Sequence, residues 1–70
     1  MRRIEIDATK GSGKKNGFMW RVVLEHGKKF NVLYFAIGYD TYGSAIRAAK
    51  AHNKHLIVPL PLYHRDELIK

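Results

Sequence analysis

Phe18-Met-Trp-Arg-Val-Val-Leu-Glu-His26-Gly27-Lys28-Lys29-Phe30-Asn-Val-Leu-Tyr-Phe-Ala-Ile37 decides how the chain folds. Two runs of nine residues, 18–26 and 29–37, are dense in aromatic and β-branched side chains, the types that suit a pleated, half-buried surface. Between them stands His26-Gly27-Lys28, where glycine supplies the positive φ of a tight reversal. The pair predicts a β-hairpin. On its first strand Trp20, Val22 and Leu24 alternate with Arg21, Val23 and Glu25. On its second, Leu33, Phe35 and Ile37 alternate with Val32, Tyr34 and Ala36. The more apolar choice for the covered face is Trp20, Val22 and Leu24 with Leu33, Phe35 and Ile37, which leaves Arg21 and Tyr34 together on the other face.

Working outward, residues 2–8 also alternate, with Ile4, Ile6 and Ala8 against Arg3, Glu5 and Asp7, and predict a further half-buried strand. Residues 9–17 hold three glycines, three lysines and no core-forming side chain, which predicts a flexible basic loop. After the hairpin the period changes. Asp40-Thr41 offers helix-capping oxygens, and Tyr42, Ala45, Ile46, Ala49 and His52 or Asn53 recur at helical spacing up to about His55. Gly43 weakens the first turn. Leu56 to Tyr63 is apolar and made extended by Pro59 and Pro61, and so suits a segment that packs on the domain or on a partner. His64 to Lys70 suits one short helical turn. The expected fold is a single α+β domain over residues 1–70: a three-stranded antiparallel sheet, one helix across a face, and an extended apolar C-terminal segment over 56–70.

Seventy residues allow one domain with a thin core. No cysteine is present, which excludes a disulfide scaffold and a thiolate zinc site. No apolar run reaches membrane-spanning length, and the start lacks the pattern of a secretory signal, so a cytoplasmic location without membrane attachment is expected. Thirteen lysines and arginines oppose six acids, a formal charge of +7. Residues 1–29 hold eight of the basic groups and three of the acids, so the positive field is expected mainly from the loop and the hairpin. Such an excess attracts phosphates and speeds encounter with polyanions.

Catalytic patterns are weak. A phosphate-binding loop would place Ala8 where its first glycine belongs, and Lys15 where a hydroxyl must meet Mg²⁺. His52 and His55 share a helix face, but no further metal ligand is evident. His52, Asn53 and His64 lack the spacing of a nuclease. Beyond Thr9, Thr41 and the tyrosines only Ser12 and Ser44 offer hydroxyls, and Ser12 lies in the glycine loop, where no base can be held within reach. Glu5 and Asp7 share a strand face without a burial signal to move their pKa values. A non-enzymatic protein without metal or cofactor is expected.

Tyr39-Asp-Thr-Tyr-Gly-Ser-Ala-Ile-Arg-Ala-Ala49, with Ile37-Gly38 before it, resembles the helix-opening stretch of the plant ethylene-response-factor DNA-binding domain. The strand Trp20-Arg21-Val22 and the turn Gly27-Lys28-Lys29 are similar in placement. Integrase amino-terminal, arm-binding domains, found mostly in phages and mobile elements, share this plan. The resemblance covers roughly residues 18–52 and implies a sheet lying in the DNA major groove, which a β-ribbon fits. It carries over Arg21 and Tyr34 as groove-facing contacts. Gly43 and Ser44 stand where that family has paired acids. Val23, Val32, Ala36 and Glu25 replace most of its basic, DNA-facing strand residues.

The expectation is therefore a nucleic-acid-binding protein, DNA before RNA, with Lys10, Lys14, Lys15, Lys28 and Lys29 on phosphates, Arg21 and Tyr34 on the sheet, and a contribution from Arg2 and Arg3. The alternative is a protein-interaction module, such as a phage-type adaptor or inhibitor of a host protein or a homodimer. It would use an exposed apolar strip of Val23, Val32, Tyr34 and Ala36.

Overall fold

The computed structural model describes residues 1–9, 17–65 and 67–69. The elements run β1 (Arg2–Thr9), β2 (Gly17–His26), β3 (Lys29–Tyr39), α1 (Tyr42–Lys54), β4 (Leu62–His64) and β5 (Glu67–Ile69). Among the described residues they form an α+β fold with a single helix and one mixed sheet of five strands in the order β3-β2-β1-β4-β5.

The first four elements occur in the order read from the sequence, and β1, β2 and α1 follow the alternation and capping read there. β1 and β2 pair antiparallel from Arg2↔Leu24 to Thr9↔Gly17. β2 and β3 meet across the two-residue turn Gly27-Lys28, where Gly27 adopts φ 63°, a region costly for any residue with a Cβ. α1 begins on Thr41, whose hydroxyl accepts from the Ser44 backbone N–H at 3.1 Å. Thr9 and Gly17 belong to strands rather than to the loop between them, and the rest of the expected loop, residues 10–16, lies outside the described residues.

The sheet is larger than the expected three antiparallel strands. β4 runs parallel to β1, with Ile4↔Leu62 and Ile6↔His64, and the Ile4 N–H donates to the Pro61 carbonyl at 2.9 Å. Pro61 lacks a donor but keeps its acceptor, so it opens the strand without leaving it. The helical turn expected over 64–70 is instead a tight hairpin, β4 pairing with β5 as Leu62↔Ile69 and His64↔Glu67. Backbone pairing to a neighbouring strand outweighs the weak helical tendency of so short a segment.

α1 covers one face. Ala45 and Ala49 are fully buried against Ile4, Ile6, Trp20, Val22 and Leu62, with Phe18, Tyr39, Tyr42, Ile46 and Leu60 around them. Alanines at the contact let helix and sheet approach closely.

The assignment of β3's faces is corrected by the structure. Trp20 pairs with Ala36 and Val22 with Tyr34, so Tyr34 and Ala36 lie on the helix side. Leu33, Phe35 and Ile37, expected in the core, are 48%, 59% and 61% exposed. The register shifts between Val22 and Val23 and again between Phe18 and Trp20. Each shift inserts an unpaired residue into β3, and a one-residue slip sends every following side chain to the opposite face. Leu24 is half-buried outside the core cluster.

Candidate functional site

The face without the helix carries a charged ladder across β1 and β2. Arg21 donates through Nε at 2.9 Å and Nη2 at 2.8 Å to Oε1 of its cross-strand partner Glu5. Arg3 donates through Nε to the other Glu5 oxygen at 2.8 Å and reaches Glu25 at 3.4 Å. The Arg21 guanidinium also lies 5.0 Å from the centre of the Phe30 ring. The side chains of Arg3 and Glu5 are only 15% exposed, and the hydrogen bond to Glu5 holds the Arg3 guanidinium above its ordinary pKa, Glu25 adding to it and burial opposing. Two arginines and two glutamates cancel here, so this part of the sheet presents no net charge, and Arg21 would have to leave Glu5 to meet a phosphate.

The groove-facing pair implied by the resemblance is divided between the two faces. Tyr34 stands on the helix side, its ring stacked on His52 at 5.3 Å with an interplanar angle of 13°, and 5.4 Å from Trp20. The apolar strip is divided as well. Val32 is exposed on the open face, but Val23 beside it is fully buried between its register partners Arg3 and Val32. Ala36 is half-buried against the core. Strand alternation from an assumed register placed these four together, and the bulges of β3 separate them.

Lys28 and Lys29 are exposed at the hairpin tip, as the turn requires, and Arg2 is exposed at the start of β1. Lys10, Lys14 and Lys15 lie outside the described residues. Arg2 sits opposite Leu24, two residues before the end of β2, and lines a cleft of about 590 Å³ together with His52 and His55 of the helix end. The hairpin tip and the C-terminal end of α1 therefore lie at one end of the molecule.

One group of cations escaped the sequence reading. α1 carries Arg47, Lys50 and Lys54 and no acidic residue. At 100° per residue these three fall within about 60° of one another, opposite the buried Ala45 and Ala49, and span about 10 Å along the axis. All three are exposed, and Arg47 makes only a 3.4 Å contact to the Ser44 hydroxyl. Among the described residues, no carboxylate lies within ion-pair distance of Arg2, Lys28, Lys29, Arg47, Lys50 or Lys54. The signal lies in the spacing of 47, 50 and 54, on the side of the helix opposite its apolar stripe.

Among the described residues there is no group of three or more histidines, cysteines or carboxylates placed to hold a metal ion, and no helix long and apolar enough to cross a membrane. No protein-family model, curated protein or solved structure matches the chain.

Proposed function

We propose that this chain is a non-enzymatic nucleic-acid-binding protein that meets the phosphate backbone through the outer face of α1 and the adjoining hairpin tip. Arg47, Lys50 and Lys54 supply the first surface; Lys28, Lys29 and Arg2 supply the second. The observation that carries this reading is the unopposed line of cations on α1. The four charges of the sheet network cancel, so the whole net +7 stands on the remaining side chains. Lys10, Lys14 and Lys15 join the contact set on the strength of the sequence alone. Arg21 and Tyr34 are left out of it, one engaged by Glu5 and the other stacked on His52. Contacts of this kind are to phosphate and carry no base information. DNA is the first ligand to test and RNA the second.

A salt-titrated mobility-shift assay with single- and double-stranded probes tests the reading. Log affinity for duplex DNA should fall by about 0.9 per phosphate neutralised for each decade of salt. Reversing Lys50 and Lys54 to Glu should weaken binding by roughly tenfold or more at low salt and flatten the salt slope. Arg21→Gln should weaken it far less, since Arg21 is engaged by Glu5 and lies on the sheet face without the helix, away from the cations of α1. A wild-type protein that shifts no probe at low salt, or a helix charge reversal without effect, overturns the proposal.

A further inference from the structure

Strand β3 forms one edge of the sheet, and among the described residues it is the longest strand, running eleven residues from Lys29 to Tyr39. Among the described residues its backbone bonds to β2 and to no other segment. Six large apolar side chains of the strand are exposed, Phe30, Val32, Leu33, Tyr34, Phe35 and Ile37 at 44–61%, with the polar Asn31 among them. No charge interrupts the strand between Lys29 and Asp40. Exposed edges are ordinarily shortened, charged or covered, because an open ladder recruits another strand. The opposite edge fits that pattern, since β5 has three residues and opens on Glu67.

We propose that β3 is the surface through which two copies of this chain associate, edge to edge and antiparallel. The order of charges along the strand identifies the partner. The apolar row is preceded by Lys28-Lys29 and followed by Asp40. A two-fold axis at Tyr34 brings Lys28 of each copy opposite Asp40 of the other, and the apolar rows opposite one another. A parallel copy would set lysine against lysine. An isologous contact of this kind uses one patch on both copies and closes at two. The bulges in β3 divide the edge into short runs, so apolar side chains on both faces carry the association along with a partial ladder. Each copy bears +7, so the two repel at long range. Added salt screens that repulsion and tightens the pair, whereas it loosens any complex with a polyanion. This inference does not depend on nucleic-acid binding, and in the dimer Lys28 is engaged by Asp40 and leaves the phosphate surface to Lys29, Arg2 and the cations of α1.

Sedimentation equilibrium of the full chain, across protein concentration and salt, reads the assembly directly. The expected result is a monomer–dimer equilibrium that shifts toward dimer as salt rises. Phe35→Lys, a change at an exposed position, should leave a monomer whose circular dichroism retains the native sheet and helix. Lys28→Asp or Asp40→Lys alone should weaken the dimer by about tenfold, because each pair occurs twice, and K28D combined with D40K should restore most of that loss. The restoration separates this register from unspecific apolar adhesion. A chain that stays monomeric at all concentrations overturns the proposal, even if β3 takes a foreign polypeptide. So does a dimer indifferent to Phe35→Lys, association that grows without closing at two, or a double swap that fails to recover.

Discussion

The carboxamide of Asn53 closes a two-bond clamp on the backbone of Leu60: Nδ2 donates to the Leu60 carbonyl at 2.9 Å, and Oδ1 accepts from the Leu60 N–H at 2.7 Å. The amide orientation follows from the partner, since a backbone N–H can only donate. The clamp joins the last turn of α1 to the segment that enters β4, one residue before the Pro61 carbonyl meets the Ile4 N–H. Asn53→Ala should cost about 2 kcal/mol, the worth of two partly buried hydrogen bonds. Urea denaturation measures the cost. Amide exchange at Ile4 should accelerate more than at Val22, because the damage is local to the β1–β4 ladder. Uniform acceleration would show that the clamp holds no particular segment.

Ala45 and Ala49 are fully buried at the contact of helix and sheet. Ala49→Leu places three more carbons where no room exists and should destabilise the fold by about 1–3 kcal/mol. Ala51→Leu, on an exposed position of the same helix, should fall within about 0.5 kcal/mol of the parent. Thermal unfolding of the pair checks the contrast; equal losses would mean that α1 does not rest on its alanines.

Trp20 is 4% exposed, and its indole Nε1–H donates to the Tyr39 hydroxyl at 3.0 Å. Tyr39→Phe removes the acceptor and leaves the donor within the aromatic cluster, at a cost of about 1–2 kcal/mol. The single tryptophan makes its fluorescence a direct reporter, and a spectrum and stability unchanged by Tyr39→Phe would place the indole N–H in water.

Burial holds the Tyr42 hydroxyl above the ordinary tyrosine pKa, and the negative charge of Glu67 adds to the effect. A folded pKa raised above the unfolded one means that the contribution to stability is fully present below the unfolded tyrosine value. It is then lost as pH rises through the folded value. The protein should therefore lose stability on the alkaline side, above about pH 10, and Tyr42→Phe should flatten that limb. An ultraviolet absorbance titration should show a late ionisation that vanishes in Tyr42→Phe. A late limb of the titration that survives in Tyr42→Phe would contradict it.

Arg65 turns the chain between β4 and β5 with φ 58°, a left-handed conformation that a residue with a Cβ adopts at a cost. Arg65→Gly should stabilise the protein by about 0.5–1 kcal/mol, relief of strain outweighing the added freedom of the unfolded chain. Lower stability in the variant would show that the Arg65 side chain contributes more than its backbone costs.

Most of the fold's plan could be read from residues 2–54. Alternation marked β1 and β2, glycine marked the turn, and Thr41 with the alanine stripe marked α1. Those signals are local: they depend on neighbours within one strand pair or one helical turn. The spacing of Arg47, Lys50 and Lys54 was equally local and equally available.

What the residues by themselves determined about this protein is the order of its first four elements, the buried stripe of its helix and its excess of positive charge. Tertiary structure alone decided which way β3 faces, because two bulges reset an alternation whose strand-internal pattern was ambiguous. It alone placed Leu62–His64 beside β1, since parallel pairing between residues some sixty positions apart leaves no periodic trace in either segment. And it alone showed that Arg21 belongs to Glu5. A charge becomes free or engaged only when the register sets its neighbour across the strand, and that register is a property of the folded sheet.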